Sequence, residues 1–402
     1  MPSSSLWTHR IGALAVGLGL AMSAVIVPCW WSIARYQSPS CSASKPDFIS
    51  LYTGAKLFWT NRSALYNLEQ QRLIQERVDP SRGDWVLPFF YPPFFAAFLV
   101  PLAWLPFSAA FIAMTLSNIA LLAAAIALLR RRLQLNRQQT NWLVLTTFCN
   151  YGVHYGLLEG QTSFIALLLL TLFVFSLRES RSGNSGVWSG FLLFKPQLAA
   201  IPFLILLSNK KWRGLEWAFL ILGLLALVSL ASVGVDGVKD YMALSAQAAA
   251  GAEDLRIEPE GMHNFRAFTY FFFPVPWRDA VWWGGTFLLI ALIVARSRAS
   301  EKPKGNSFAE WIPIVAALIL ISPHLHSHDL TLLTIPFALI LKRAGEAVLP
   351  PVALTLVVLG VLPLINTIAY PHLPPLLPIA LLLFLAIDCW LEWSRSTFLK
   401  AT

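Results

Sequence analysis

The chain alternates long apolar runs with short polar connectors, and this pattern predicts a bundle of membrane-spanning helices. An α-helix needs about 20 apolar residues to cross a bilayer. Apolar segments occur at about 11–33, 89–106, 108–129, 141–158, 161–177, 186–208, 214–234, 280–295, 308–322, 329–341, 348–370 and 374–391. We therefore predict an all-α polytopic membrane protein with about twelve transmembrane helices, in which residues 1–402 form a single domain.

Three of these segments have features that set the number and ends of the predicted spans. The first is too long for the core of a cleaved signal peptide, so we predict an uncleaved span with a cytoplasmic N-terminus. No charge interrupts Phe89 to Leu129, and the turn between two spans is predicted at Leu105-Pro106-Phe107-Ser108. Pro196, in the middle of 186–208, predicts a broken helix or a short hairpin there.

Lys and Arg in short connectors indicate the cytoplasmic side of a membrane protein. A simple count of segments places 209–213, 296–304 and 342–346 inside, where this bias expects them. The same count places 130–137, with its four Arg, outside. Either the bias fails there or a nearby segment is re-entrant. Both schemes put the same four regions on the outer face, namely 35–88, 235–279, 323–328 and 371–373.

The two long outer regions differ in character. Apolar and polar residues alternate in the first, at about 35–88, which predicts amphipathic helices at the lipid surface. The second, at about 235–279, is acidic and contains Gly261-Met262-His263-Asn264-Phe265-Arg266. No internal repeat is visible in the sequence, so the paired halves of many transporters are not evident.

The composition supports lipid as the main solvent. Charged residues make up 13% of the chain and hydrophobic residues 56%, with a mean hydropathy of +0.61, whereas soluble domains carry about 25% charged residues. The net charge of +9 comes from connectors without interleaved stacking aromatics, which indicates anionic membrane lipids rather than nucleic acid. Of the four cysteines, Cys29 and Cys41 are placed to pair if their loop faces an oxidising space.

Asp47 and a histidine cluster are the first candidates for chemistry. Asp47 follows the first span, where it suits either an N-cap or a general base near the bilayer surface. His324, His326 and His328 alternate between two apolar segments. They suit a zinc site, a solvated turn, or donors to a phosphate or sugar, and we favour the last.

Three further polar residues interrupt apolar sequence. Tyr91 opens a helix in Phe90-Tyr91-Pro92-Pro93, where it is either an interface anchor or part of a site. Gln161 follows Gly160, and Lys195 precedes Pro196. A lysine within the bilayer needs a partner or water, so Lys195 is either snorkelling or bound to an anionic headgroup.

The order of several motifs resembles a known family. These are "LYNLEQ", "YPPFFAAFLVPLAWLP", "EGQTSF", "LLFKPQ", "GMHNFRAF" and "SPHLHSHDLTLL", between Asp47 and Thr334. They resemble the polyprenol-phosphate-mannose-dependent mannosyltransferases of glycosyltransferase family 87, which have the GT-C membrane fold. Two details depart from the family, because His328 replaces the tyrosine often found before Asp329 and "FLLFKPQ" lacks small residues before Lys195.

The resemblance implies a GT-C bundle with its site on the outer face of the bacterial inner (plasma) membrane. It implies a polyprenyl-phosphate sugar as donor, a lipid-linked or glycan hydroxyl as acceptor, and inversion without metal or other cofactor. Asp47 matches the family's base, and His324 or His326 its late histidine. We add as donor- or acceptor-binding residues His263, Asn264, Arg266, Tyr91, Lys195 and Gln161.

The sequence thus predicts a membrane hexosyltransferase, with mannose as the expected sugar. Two alternatives stay open at this point. One is a transporter of a lipid or small solute, with the histidines and Lys195 along its path. The other is a non-catalytic subunit of an envelope-assembly complex, docked through its aromatic outer loops.

Overall fold

Apolar runs fold into helices throughout the part of the chain that the computed structural model describes, which is 4–35, 46–80, 85–179, 181–250, 261–300, 308–345, 348–369 and 373–401. No strand occurs among these residues. The helices of the first half are α1 Ser4–Arg35, α2 Phe48–Thr60, α3 Leu68–Val78, α4 Pro93–Ala103, α5 Phe107–Leu133, α6 Arg137–Phe148, α7 Tyr151–Leu158, α8 Ser163–Arg178 and α9 Ser182–Phe191.

The helices of the second half are α10 Pro196–Ser208, α11 Trp212–Ala250, α12 Phe265–Phe272, α13 Val275–Ser300, α14 Trp311–Ile321, α15 Thr334–Arg343, α16 Leu349–Ala369 and α17 Leu376–Ala401. Short 3-10 helices occur at Arg62–Ala64, Leu192–Phe194 and Ser327–Leu333. The prediction of an all-α fold is confirmed.

Five of the described helices are long and apolar enough to cross a membrane, and these are α1, α5, α11, α13 and α16. Five shorter apolar helices accompany them, namely α4, α8, α10, α14 and the first part of α17. The protein is therefore a helical membrane protein, while the count of about twelve spans stays a prediction.

Local sequence explains where several helices end. Gln134, at φ 51°, closes α5 after three arginines, and Asn136 forms a capping box with Gln139 at the start of α6. Gly234, at φ 71°, interrupts α11 where the apolar segment 214–234 was predicted to end.

The core is built around α14, in which every residue is buried. A helix that is apolar on all sides belongs inside a bundle, and α14 packs against α13, α15 and α17. Helix α2 is also buried on nearly all sides and packs against α4. It is therefore part of the protein interior, rather than the amphipathic surface helix that the sequence suggested.

The basic connectors meet at one end of the bundle. Lys342 Nζ donates a hydrogen bond to Gln134 O at 3.1 Å. Arg132 forms an ion pair with Glu179, and Arg298 Nε donates to the carbonyl oxygen at the end of α10 at 3.2 Å. The arginine-rich connector 130–137 therefore lies with those predicted to be cytoplasmic.

Helices α9 and α10 form a hairpin with Lys195 at its apex. Helix α9 starts next to Glu179 and α10 ends at Ser208, and both of these residues lie at the connector end. Pro196 is the first residue of α10, where its missing N–H costs no hydrogen bond. At about 1.5 Å per residue, each arm is about 15–20 Å long. The prediction of a hairpin at Pro196 is confirmed.

Helix α4 ends before it reaches the basic connectors. It starts next to Tyr91 and ends beside α2, where Lys56 Nζ donates to Ala103 O at 2.5 Å. Tyr52 OH donates to Leu105 O at 2.9 Å. Helix α5 therefore starts beside α2 and runs the full length to the arginines at the connector end.

Candidate active site

A cavity of about 930 Å³ lies at the end of the bundle opposite the basic connectors. Helices α8, α10 and α15 each start beside this cavity and end at the connectors. Its wall includes one or more residues from each of the four regions predicted to face outward, among them Asp47, His263, His324 and Leu373. Chain segments far apart in sequence thus converge on one space.

Seven of the nine predicted site residues line this cavity, namely Asp47, Tyr91, Gln161, Lys195, His263, His324 and His326. Asn264 and Arg266 do not line it. The cavity therefore contains a carboxylate, a lysine and several imidazoles, which is an arrangement suited to proton transfer and to binding an anion.

Asp47 directs its carboxylate to a neighbouring turn rather than to its own helix. It occupies the N-cap position of α2 but makes no side-chain capping hydrogen bond. Instead, Gln161 Nε2 donates to Asp47 Oδ2 at 2.6 Å. Asp47 therefore occupies the predicted N-cap position without capping the helix through its side chain, and Gln161 contacts the carboxylate that the sequence predicts as the base.

Lys195 forms a buried ion pair with Asp329. Lys195 Nζ lies 2.5 Å from Asp329 Oδ1, and the two residues are 4% and 2% exposed. Ser163 Oγ donates to the same carboxylate oxygen at 2.5 Å, and His328 Nε2 lies 3.5 Å from Oδ2. The snorkelling interpretation of Lys195 is therefore wrong, because its ammonium group is paired inside the protein.

Three of the histidines that line the cavity, His263, His324 and His326, favour the neutral form. Burial lowers the pKa of His263 to about 4. Burial and the nearby Arg266 charge lower the pKa of His324 to about 4. Burial and His328 lower the pKa of His326 to about 3. At neutral pH these rings can donate and accept hydrogen bonds without carrying charge.

Hydrogen bonds join the histidine segment to the second outer region. His263 Nε2 lies 2.9 Å from Ser327 Oγ, and the backbone N–H of His263 donates to Leu325 O at 3.1 Å. Among the described residues, no three His, Cys, Asp or Glu side chains are grouped as a metal site requires.

Asn264 and Arg266 lie behind the cavity wall. Asn264 caps α12, since its Oδ1 accepts from Ala267 N at 2.9 Å, and its Nδ2 donates to Ser322 O at 2.7 Å. The Arg266 guanidinium lies 5.2 Å from the centre of the Trp282 ring, which lines the cavity. Its Nε and Nη1 are buried without a hydrogen-bond partner, so its positive charge acts on the cavity through this wall.

Several cavity residues were not among the predicted site residues, including Tyr155, Gln197, Tyr241, Trp282, Trp283, His328 and Asp329. Two of them had a signal in the sequence, namely His328, which alternates with His324 and His326, and Asp329. A lysine in an apolar segment requires a counter-charge, and Asp329 is the acid at the start of the apolar segment after the histidines. The aromatic residues have no such signal, because tryptophan and tyrosine are common throughout helical membrane proteins.

The fold and the site define the class of the protein, which is a helical membrane protein with a cavity lined by ionisable side chains at one end of its bundle. The family model of Glycosyltransferase family 87 matches residues 89–323, more than half of the chain, and the chain belongs to that family. No curated protein and no solved structure matches it. The resemblance to family 87 is thus confirmed, and the family indicates a membrane glycosyltransferase. The matched range includes Tyr91 and Lys195 but ends just before His324, and Asp47 precedes it.

Proposed function

We propose that this protein transfers a hexose, with mannose as the candidate, from a polyprenyl-phosphate donor to a hydroxyl of a lipid-linked or glycan acceptor. The observation that carries the proposal is that Asp47, Lys195, His324 and His326 line the same cavity. A glycosyl transfer needs a base for the acceptor and donors for the leaving phosphate, and these groups supply both.

The reaction that we propose is one inverting displacement. Asp47 takes the proton of the acceptor hydroxyl while the hydroxyl oxygen attacks the anomeric carbon. The bond from that carbon to the phosphate oxygen breaks, and its electron pair leaves with the polyprenyl phosphate. A positioned base of this kind contributes about 10²–10⁴-fold to the rate.

The leaving phosphate gains negative charge as the bond breaks, so the groups around it must stabilise that charge. Lys195 supplies a fixed ammonium group, held in place by Asp329. His324 and His326 supply neutral ring N–H donors, and Arg266 adds positive potential through Trp282. Preorganised donors in a buried site stabilise developing charge better than water does.

We place the cavity on the outer face of the plasma membrane, which is the inner membrane of a bacterium. The basic connectors lie at the opposite end, as the positive-inside bias requires. Cys29, near the cavity end of α1, is disulfide-bonded, which is typical of an oxidising compartment. Its predicted partner Cys41 lies outside the described residues.

The same assignment removes the conflict over the connector 130–137. If α4 stays on the outer side and the α9–α10 hairpin returns to the inner side, the GT-C-type bundle has ten crossings instead of twelve. These are α1, α5, α6 with α7, α8, α11, α13, α14, α15 with its preceding 3-10 helix, α16 and α17. Every arginine-rich connector is then cytoplasmic.

The test is transfer in membranes that contain the protein. Radiolabelled polyprenyl-phosphate-mannose and a lipid extract are supplied to the wild type, to Asp47→Asn and to a control, Asp240→Asn. Asp240 is exposed and lies outside the cavity, so this control makes the same change of charge elsewhere. We expect labelled product from the wild type and the control, and about 10²–10⁴-fold less from Asp47→Asn.

Two results would contradict the proposal. Product formation that survives Asp47→Asn would exclude Asp47 as the base. No transfer by the wild type from any polyprenyl-phosphate sugar would refute the donor class and would favour the transporter or the non-catalytic subunit.

A further inference from the structure

The four-residue turn 159–162, with Ser163 at the start of α8, connects the two chemically different sides of the cavity. It joins α7 to α8 and contains Glu159, Gly160 and Gln161. We propose that Glu159 is a positioning residue, which binds the backbone N–H groups of Asp47 and Phe48 at the start of α2 and so holds the Asp47 carboxylate toward the cavity. This inference rests on the proposed function, in which Asp47 is the base.

Glu159 supplies two acceptors to the start of α2. Its Oε2 accepts a hydrogen bond from the backbone N–H of Asp47 at 2.8 Å. Its carbonyl oxygen accepts from the backbone N–H of Phe48 at 2.9 Å. The first N–H groups of a helix lack partners within the helix and favour a nearby negative charge. Glu159 therefore satisfies the N–H groups of Asp47 and Phe48, which come before the two N–H groups that an N-cap side chain ordinarily reaches.

The Asp47 side chain is consequently turned away from its helix. An N-cap aspartate usually accepts from the second or third N–H of its helix, but Asp47 does not. Its Oδ2 accepts from Gln161 Nε2 at 2.6 Å. One turn thus holds both the backbone and the carboxylate of Asp47.

Gly160 allows the turn to approach α2 this closely. Its φ is 61°, in the left-handed region that favours glycine. A Cβ added at Gly160 would lie 2.8 Å from the Cβ of Phe48, which is closer than two such carbons can pack. Another residue here would separate the turn from Asp47.

The other half of the turn reaches the cationic side of the cavity. Thr162 Oγ1 lies 2.9 Å from the hydroxyl of Tyr91. Ser163 Oγ donates to Asp329, the partner of Lys195. A reacting site requires its groups to be held within about 0.5 Å of productive geometry. The turn therefore contacts Asp47 on one side and the partner of Lys195 on the other, and so fixes the position of Asp47 relative to Lys195.

The test separates turnover from substrate binding in the full-length protein. We expect Glu159→Ala to lower kcat about 10–100-fold with little change in KM for the donor, since a misplacement of about 1 Å can cost about 100-fold. Glu159→Gln keeps an uncharged acceptor oxygen and should recover kcat to within about threefold of the wild type. The kcat of Glu159→Asp, whose side chain is one methylene shorter, should lie between those of the other two variants. This variant replaces Glu159→Ala in the test if Glu159→Ala does not fold.

The matched control is Gln139→Ala. Gln139 is also buried and donates to Leu341 O at 3.0 Å, but it lies at the connector end, so we expect its kcat to stay at the wild-type value. A wild-type kcat in Glu159→Ala or Glu159→Asp, or an effect confined to KM, would overturn the inference while Asp47→Asn still abolished transfer. An inactive wild type would instead refute the proposed function, and the inference with it.

Discussion

Removing one charge of the Lys195–Asp329 pair is expected to destabilise the protein more than removing both. Lys195→Met leaves a buried carboxylate without its cation, and Asp329→Asn leaves a buried ammonium group without its anion. The double variant leaves neither charge. A buried ion pair stabilises little relative to apolar replacements, whereas a single buried charge is costly.

The contacts of each partner set the size of the two effects. Both residues are buried, at 4% and 2% exposure, and breaking such a pair from one side costs about 3–5 kcal/mol. In Lys195→Met, Ser163 Oγ and His328 Nε2 remain at 2.5 and 3.5 Å from Asp329. We therefore expect the free energy of unfolding to fall by about 3 kcal/mol. In Asp329→Asn, Lys195 keeps Ser163 Oγ at 3.4 Å, so we expect a cost nearer the upper value.

Thermal unfolding of the purified protein in detergent measures the coupling. Both single variants should unfold at clearly lower temperature than the wild type, and the double variant should unfold above both. The control is Glu76→Gln in α3, where the Glu76 side chain is 48% exposed beside Arg72. It should cost about 1 kcal/mol or less. A double variant whose loss equals the sum of the two single losses would show that the two charges are not coupled and would contradict this prediction.

Two further predictions concern pH and sidedness. The pKa values of His324 and His326 are about 4 and about 3 in the folded protein, below the value of about 6.5 in the unfolded chain. Unfolding therefore takes up protons between these values. The free energy of unfolding should fall as pH drops from about 6.5 to about 4. A melting temperature that does not change over this range would contradict the neutral assignment. In a Cys389→Ser background, an impermeant thiol reagent should label Asp240→Cys but not Arg131→Cys in spheroplasts, and the reverse result would invert the proposed topology.

The sequence predicts residue types at the site better than it predicts their partners. Asp47 and Lys195 are recognisable because charged groups beside apolar segments are costly and therefore few. Their partners Gln161 and Asp329 are 114 and 134 residues away along the chain. No local periodicity relates positions so distant, so only the folded bundle reveals which groups meet.

Asp47 occupies the N-cap position that the sequence predicts, but its side chain does not cap the helix, for a related reason. Its position before an apolar helix is the usual place for a capping aspartate. Local sequence cannot show that Glu159, on a different turn, supplies the acceptors to that helix. The tertiary contact overrides the local preference, and it does so at the residue to which we assign proton transfer.

The hairpin of α9 and α10 connects topology with chemistry. Helix α9 starts next to Glu179 and α10 ends at Ser208, both at the connector end, so the chain turns at Pro196 and returns to the end from which it came. A continuous helix over 186–208 would instead put Lys195 near its middle. The ammonium group would then face lipid or neighbouring helices within the membrane. The turn places Lys195 at the apex, where Asp329 and Ser163 meet it beside the cavity. The break that restores the positive-inside pattern is therefore also the feature that brings a cation to the proposed phosphate site.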